Sequence, residues 1–205
     1  MQLLLNESCE LPALLERSLK ISRSLSPPDL DTVDRLWRHF YTLLTRLREW
    51  ERRFKAQASH PLMWSRSDPE TWSSPGASAI WFPNLMTATS LTHCWAFEIV
   101  VKSHLEKLHQ MASTARVYHL QTRTEACIKE EERISVLTLA DMICDSTSYL
   151  LQSEFKYHGL WSAFFTLPTA LRVFSQEKEL SASRAGRSLL IAKLLASREV
   201  YFPCN

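Results

Sequence analysis

The residues best equipped for chemistry gather in one stretch, Ile80 to Leu108, which holds His93, Cys94, Glu98 and His104, with His109 just beyond. Imidazole, thiol and carboxylate are zinc donors, and they are also the acids, bases and nucleophiles of enzymes. Their spacing argues against both uses. A metal pair on a helix needs i,i+3 or i,i+4 spacing, as in H-E-x-x-H. His104 and His109 are five apart and so point roughly 140° from each other around a helix. His93 and Cys94 are adjacent and do not readily face one ion. Cys94 lies in the most apolar run, where a thiol behaves as a small hydrophobe. Glu98 is the only charge between Cys94 and Val101, and a buried carboxyl can serve as an acid, but Lys102 stands at i+4 for an ordinary ion pair. There is no G-x-S-x-G elbow, no G-x-x-x-x-G-K-[ST] loop and no G-x-G-x-x-G turn, and 3 glycines can hardly build a phosphate cradle. No catalytic, cofactor-binding or metal-binding residue is assigned, and the chain is read as a non-enzyme.

Composition narrows the partners. The 205 residues are 45% hydrophobic and 22% charged, enough for a real core. A net charge of +2 gives no global case for nucleic acid. Cys9, Cys94, Cys127, Cys144 and Cys204 are scattered and odd in number, which fits reduced thiols in the nucleus or cytoplasm rather than a disulfide framework. Met1-Gln-Leu-Leu-Leu-Asn lacks the basic n-region of a signal peptide, and no apolar run approaches the ~18 residues of a membrane span. Arg35, Arg38, Arg46, Arg48, Arg52, Arg53 and Lys55 form a basic strip that could meet phosphates. A solvated face with i,i+4 pairs, Glu49 to Arg53 and Glu51 to Lys55, is the favoured reading.

The elements that would hold these residues are helices. Stripes of helical spacing place them at 8–22, 29–58, 85–111, 125–157, 160–176 and 181–199, with a long loop at 59–79. The fold expected is all-α: a single-domain array, 1–205, of about six helices around a buried central helix, 85–111, with Trp95, Phe97 and Ile99 in the core. Ser8 is the expected cap of the first helix, Ser26-Pro-Pro-Asp29 starts the second, His158-Gly159 stops the fourth, Pro168 bends the fifth, and Ser181 or Ser183 caps the last. In helix 29–58, Val33, Phe40, Leu47 and Phe54 recur every seven residues, with Trp37 between them. Such a seam is chiefly core-forming, and a homodimer seam is the alternative. The loop carries Trp64 and Trp72, which are costly to leave in water, so it should lie on the bundle and offer a first surface for a partner or ligand.

Three segments read together carry a family resemblance. Trp81-Phe-Pro-Asn-Leu-Met-Thr-Ala-Thr-Ser-Leu-Thr-His-Cys-Trp-Ala-Phe-Glu-Ile-Val resembles a stretch in the C-terminal regions of fungal zinc-cluster transcription factors. There an aromatic-Pro entry precedes a helix with a similar Trp-Ala run. Ala140-Asp-Met-Ile-Cys-Asp-Ser-Thr-Ser-Tyr-Leu-Leu-Gln-Ser-Glu is similar to a later helix of those regions. Gly159-Leu-Trp-Ser-Ala-Phe-Phe-Thr-Leu-Pro-Thr-Ala-Leu-Arg-Val-Phe fits the aromatic, Pro-containing helix that follows it. The resemblance covers residues 30–178. The family's DNA reader, six clustered cysteines followed by basic residues, has no counterpart, so direct DNA binding by this chain is not expected. Either the cluster has been lost or an upstream module is missing from this sequence. The resemblance implies a helical regulatory region acting in the nucleus, through other transcription-regulatory proteins or a homodimer partner, with a small-molecule effector as a further option. In the family such regions often accompany secondary-metabolism genes. A competing reading is a small helical enzyme of such a pathway, with Glu98 or His93 as its acid or base.

Overall fold

The computed structural model describes residues 2–24, 29–66, 79–114, 136–176 and Arg184. They form a mostly helical, all-α structure with one small two-stranded sheet. In chain order the elements are α1 (Gln2–Ser8), α2 (Leu11–Arg23), α3 (Leu30–Ala56), β1 (Trp64–Arg66), β2 (Ala79–Trp81), α4 (Leu85–Thr114), α5 (Val136–Asp145), α6 (Thr147–Leu150), a 3-10 turn (Ser153–Phe155) and α7 (Lys156–Gln176). Where one array was expected, the contacts group into two compact units, each discontinuous in sequence. One is Met1–Gln57 with Phe97–Ile134, and the other is Ala58–Ala96 with Ser135–Asn205. The long helix α4 therefore contributes residues to both.

The first unit is built on α3. Asp29 caps it: its carboxylate accepts from the backbone N–H of Asp31 and Thr32 at 3.3 and 3.2 Å and from the Thr32 hydroxyl at 2.7 Å. Arg53 and Lys55 occupy the last turn, where cations favour the helix dipole. Val33, Leu36, Phe40, Leu43, Leu44, Leu47 and Trp50 are buried. Removing one such side chain, Phe40 for example, costs about 3–5 kcal/mol. Helices α1 and α2 both pack on α3. The first helix predicted from the sequence, 8–22, is in fact two. Leu4 is buried within α1, and Ser8 closes that helix by donating to the Leu5 carbonyl at 3.3 Å instead of capping the next. Pro12, in the first turn of α2, sets the new start.

The second unit holds the ribbon, α5, α6, α7 and the first part of α4. Asn84 opens α4, its side-chain oxygen accepting from the Thr87 N–H at 2.8 Å and the Thr87 hydroxyl at 3.1 Å. The stretch 59–79 is not wholly loop. β1 and β2 pair antiparallel, with Trp64 opposite Trp81, Ser65 opposite Ile80 and Arg66 opposite Ala79, as aromatic and β-branched residues favour. Trp81 and Phe82 then meet Tyr149 edge-on at 5.6 and 5.3 Å. The expected stop at His158-Gly159 is a further correction. α7 begins at Lys156, so Gly159 lies inside it, and Pro168 is likewise interior. Among the described residues of 125–157, a turn at Ser146 and the 3-10 turn divide the predicted helix. The predicted helix 181–199 with its Ser181 or Ser183 cap falls outside the described residues, apart from Arg184, whose guanidinium grips Asp141 at 2.7 Å.

Candidate functional site

In the first unit the charged groups are largely paired. Glu98 is buried on α4 and lies 3.6 Å from the Lys102 ammonium, the expected i,i+4 pair, and 3.7 Å from Arg48 Nε on α3. Glu51, also buried, pairs with Lys55 at 2.8 Å. Burial pushes the Glu98 carboxyl above its usual range; Lys102 opposes that, the Glu51 carboxylate adds to it, and Arg48 opposes it more weakly. Two carboxylates held by three cations form a structural ion cluster. The rest of the basic strip, Arg35 excepted, is neutralised in the same way. Arg38 pairs with Asp34, Arg46 with Glu7 and Glu10 at 2.9 and 3.0 Å, Arg52 with Glu49 at 2.7 Å, and Arg53 with Glu49 at 3.6 Å. The Arg46 and Arg53 bonds to Glu7 fasten α1 to α3. His104 is a packing residue: its Nδ1 lies 2.9 Å from the Ser18 hydroxyl and its ring stacks on Phe40.

In the second unit His93 is largely buried. Its Nδ1–H donates to the Thr89 carbonyl at 2.8 Å, and its ring lies 5.9 Å from that of Phe165. Burial holds the imidazole below its ordinary range, against the opposing effect of the Thr89 carbonyl. Cys94 and Cys144 are buried and form no disulfide. Trp95 is core as expected, and so is Ile99 of the first unit, where Phe97 is half-buried. Trp64 is 45% exposed on the ribbon, and Trp72 lies outside the described residues. Of the seam residues, Val33, Phe40 and Leu47 are buried, and Trp37 and Phe54 are half-buried, stacked on Tyr41 and Trp50.

The exposed feature of this unit is a stripe on α7. Tyr157, Trp161 and Phe164 are 66, 63 and 62% exposed, and Phe165 is 38% exposed. With Pro168 they recur at i, i+4, i+7, i+8 and i+11, one face of the helix, and no Asp, Glu, Lys or Arg falls between Lys156 and Arg172. The opposite face is buried, with small groups such as Gly159, Ser162, Ala163 and Ala170 beside Leu167, Val173 and Phe174. Ser162 meets α4 through Thr89 at 2.8 Å, and Met86, one turn earlier on the same face of α4, is 61% exposed. Large uncharged groups left in water at this density mark an interaction surface. Sequence reasoning did not single out Trp161, Phe164 and Phe165 as a surface because both faces of α7 are apolar. The available signal was spacing, since Tyr157, Trp161, Phe164 and Phe165 fall on one face of the helix while Gly159, Ser162 and Ala163 share the other. Comparison with protein-family models, curated proteins and solved structures finds no match to this chain.

Proposed function

We propose that this chain is a regulatory interaction domain of the transcription-factor-like kind. It works in the nucleus by binding another regulatory protein, and it is not an enzyme. The aromatic stripe of α7 carries this reading. Trp, Tyr and Phe are the residues that anchor protein interfaces, and here they stand on a rigid helix whose other face is fixed in the core. The stripe runs about three turns, a length that suits an amphipathic partner helix presenting its own apolar face. The neutralised basic strip fits the same reading, because it leaves little free charge for phosphates.

The test is recruitment. The chain is fused to an unrelated DNA-binding domain and reporter output is measured in fungal nuclei, with W161A/F164A as the variant. The expected result is a several-fold change in output with the wild-type chain and none with the variant, at equal melting temperature. An inert wild-type fusion, or a variant as active as the wild type, overturns the reading. Concentration-dependent dimers abolished by W161A/F164A would replace the foreign partner with a second copy.

A further inference from the structure

We propose that the groove between α2 and α3 binds a small amphiphilic anion, an apolar body bearing a carboxylate or phosphate head. The groove encloses about 470 Å³, within the ~300–1,000 Å³ of small-molecule sites. Ile21 and the buried Leu36 give it an apolar floor, and Arg17, Lys20, Arg35, His39 and the Thr32 hydroxyl line the rest, with no carboxylate lining it among the described residues. Apolar base and cationic rim are the two surfaces such a molecule presents in reverse.

The state of those cations decides the argument. Of the seven cations along α3, Arg35 is the one with no carboxylate within ion-pair distance among the described residues, and it is the one that lines the groove. Its Nε donates to the Asp31 carbonyl at 3.2 Å and its Nη2 to the Thr32 hydroxyl at 3.3 Å. Those bonds hold the guanidinium in place while leaving most of its five N–H donors free. Arg17 and His39 make no hydrogen bond or ion pair among the described residues. Lys20 is engaged by Glu16 at 2.8 Å, and Asp29, the other nearby acid, is engaged by Thr32 and the first turn of α3. The groove therefore offers two guanidinium groups and an imidazole that hold no carboxylate at ion-pair distance among the described residues, with Asp29 and Glu16 as the acids near Arg35 and Arg17, beside apolar side chains. A planar guanidinium pair suits a carboxylate or phosphate head. A membrane or nucleic-acid surface would not need the concave apolar floor.

This site is independent of the α7 reading. The full chain is titrated by calorimetry with dodecanoate, dodecyl phosphate, dodecanol and dodecyltrimethylammonium, each below its micelle concentration. The expected result is binding of the two anions, at least tenfold weaker binding of dodecanol and none of the cation. The tighter anion identifies the head group. R17Q and R35Q should each weaken the anions about tenfold at unchanged melting temperature, as these side chains are exposed. W161A/F164A should bind them like the wild type. Absence of anion binding, equal affinity for dodecanol, or unchanged affinity in R17Q and R35Q overturns the proposal. So does binding to anionic vesicles without binding to the monomeric amphiphiles, which would assign the groove to a membrane surface.

Discussion

His93 and Glu98 lie on one helix and titrate with opposite consequences. Burial lowers the His93 pKa, so the unfolded chain takes up a proton before the native chain does. Its contribution to stability is complete above the ordinary imidazole value of about 6.5 and is lost as pH falls through the depressed native value. Burial raises the Glu98 pKa, so the native chain holds its proton more tightly than the unfolded one. That contribution is complete below the ordinary value of about 4.5 and is lost as pH rises through the raised native value. Between pH 7 and pH 5 the two oppose each other, and the wild-type profile alone will not separate them. Urea midpoints of H93Q and E98Q across that range will. Relative to the wild type, H93Q should lose less stability on acidification and E98Q should lose more. Profiles parallel to the wild type in both variants would refute the burial argument. The ordinary pair of Glu98 with Lys102 was legible from i,i+4 spacing. Arg48 and Glu51 were not, because they come from α3 and only packing brings them to α4.

Helix existence was legible in the chain wherever one face was plainly apolar, and boundaries were legible wherever a cap was local. The heptads of α3 and the Asp29 cap are both written in neighbouring residues. The break between α6 and α7 is not, because Gly159 there answers to a distant backbone. A Cβ built on it would sit 1.8 Å from the Leu150 carbonyl oxygen. In an open helix, glycine to alanine gains about 1 kcal/mol. Here the neighbour is main chain that cannot rotate aside, so the clash exceeds that gain. G159A should cost about 2–3 kcal/mol net, read as a lower urea midpoint with an unchanged slope. A neutral or stabilising result would mean that α6 and α7 do not approach so closely. The same close approach explains why sequence reading placed a helix stop here. Glycine's commonest use at a helix end was assigned to a glycine whose use is contact.

Taken as a whole, the molecule is close to electrically balanced, at +2 over 205 residues, and the balance is local as well as global. A basic helix face looks like a phosphate-binding surface when read as a string. Its meaning depends on carboxylates that the string does not place beside it, above all Glu7 from α1, Glu10 at the start of α2 and Glu98 from α4. Only the i,i+3 and i,i+4 partners, such as Glu49, could be read from spacing. Affinity for duplex DNA is set by the cations free to displace counter-ions, and each one that already holds a carboxylate contributes little. Non-specific binding by basic proteins falls at roughly 10⁻⁴–10⁻⁶ M at physiological salt. This chain should lie at or beyond the weak end, with a Kd above about 100 μM for a 20-base-pair duplex at ~150 mM salt and a log–log salt slope shallower than about −2. Fluorescence anisotropy across a salt series measures both. A micromolar Kd with a steep slope would show that the cations of α3 leave their carboxylates for phosphates. On the proposed function, the chain would then reach DNA directly, and the aromatic face of α7 would no longer be needed to bring it there.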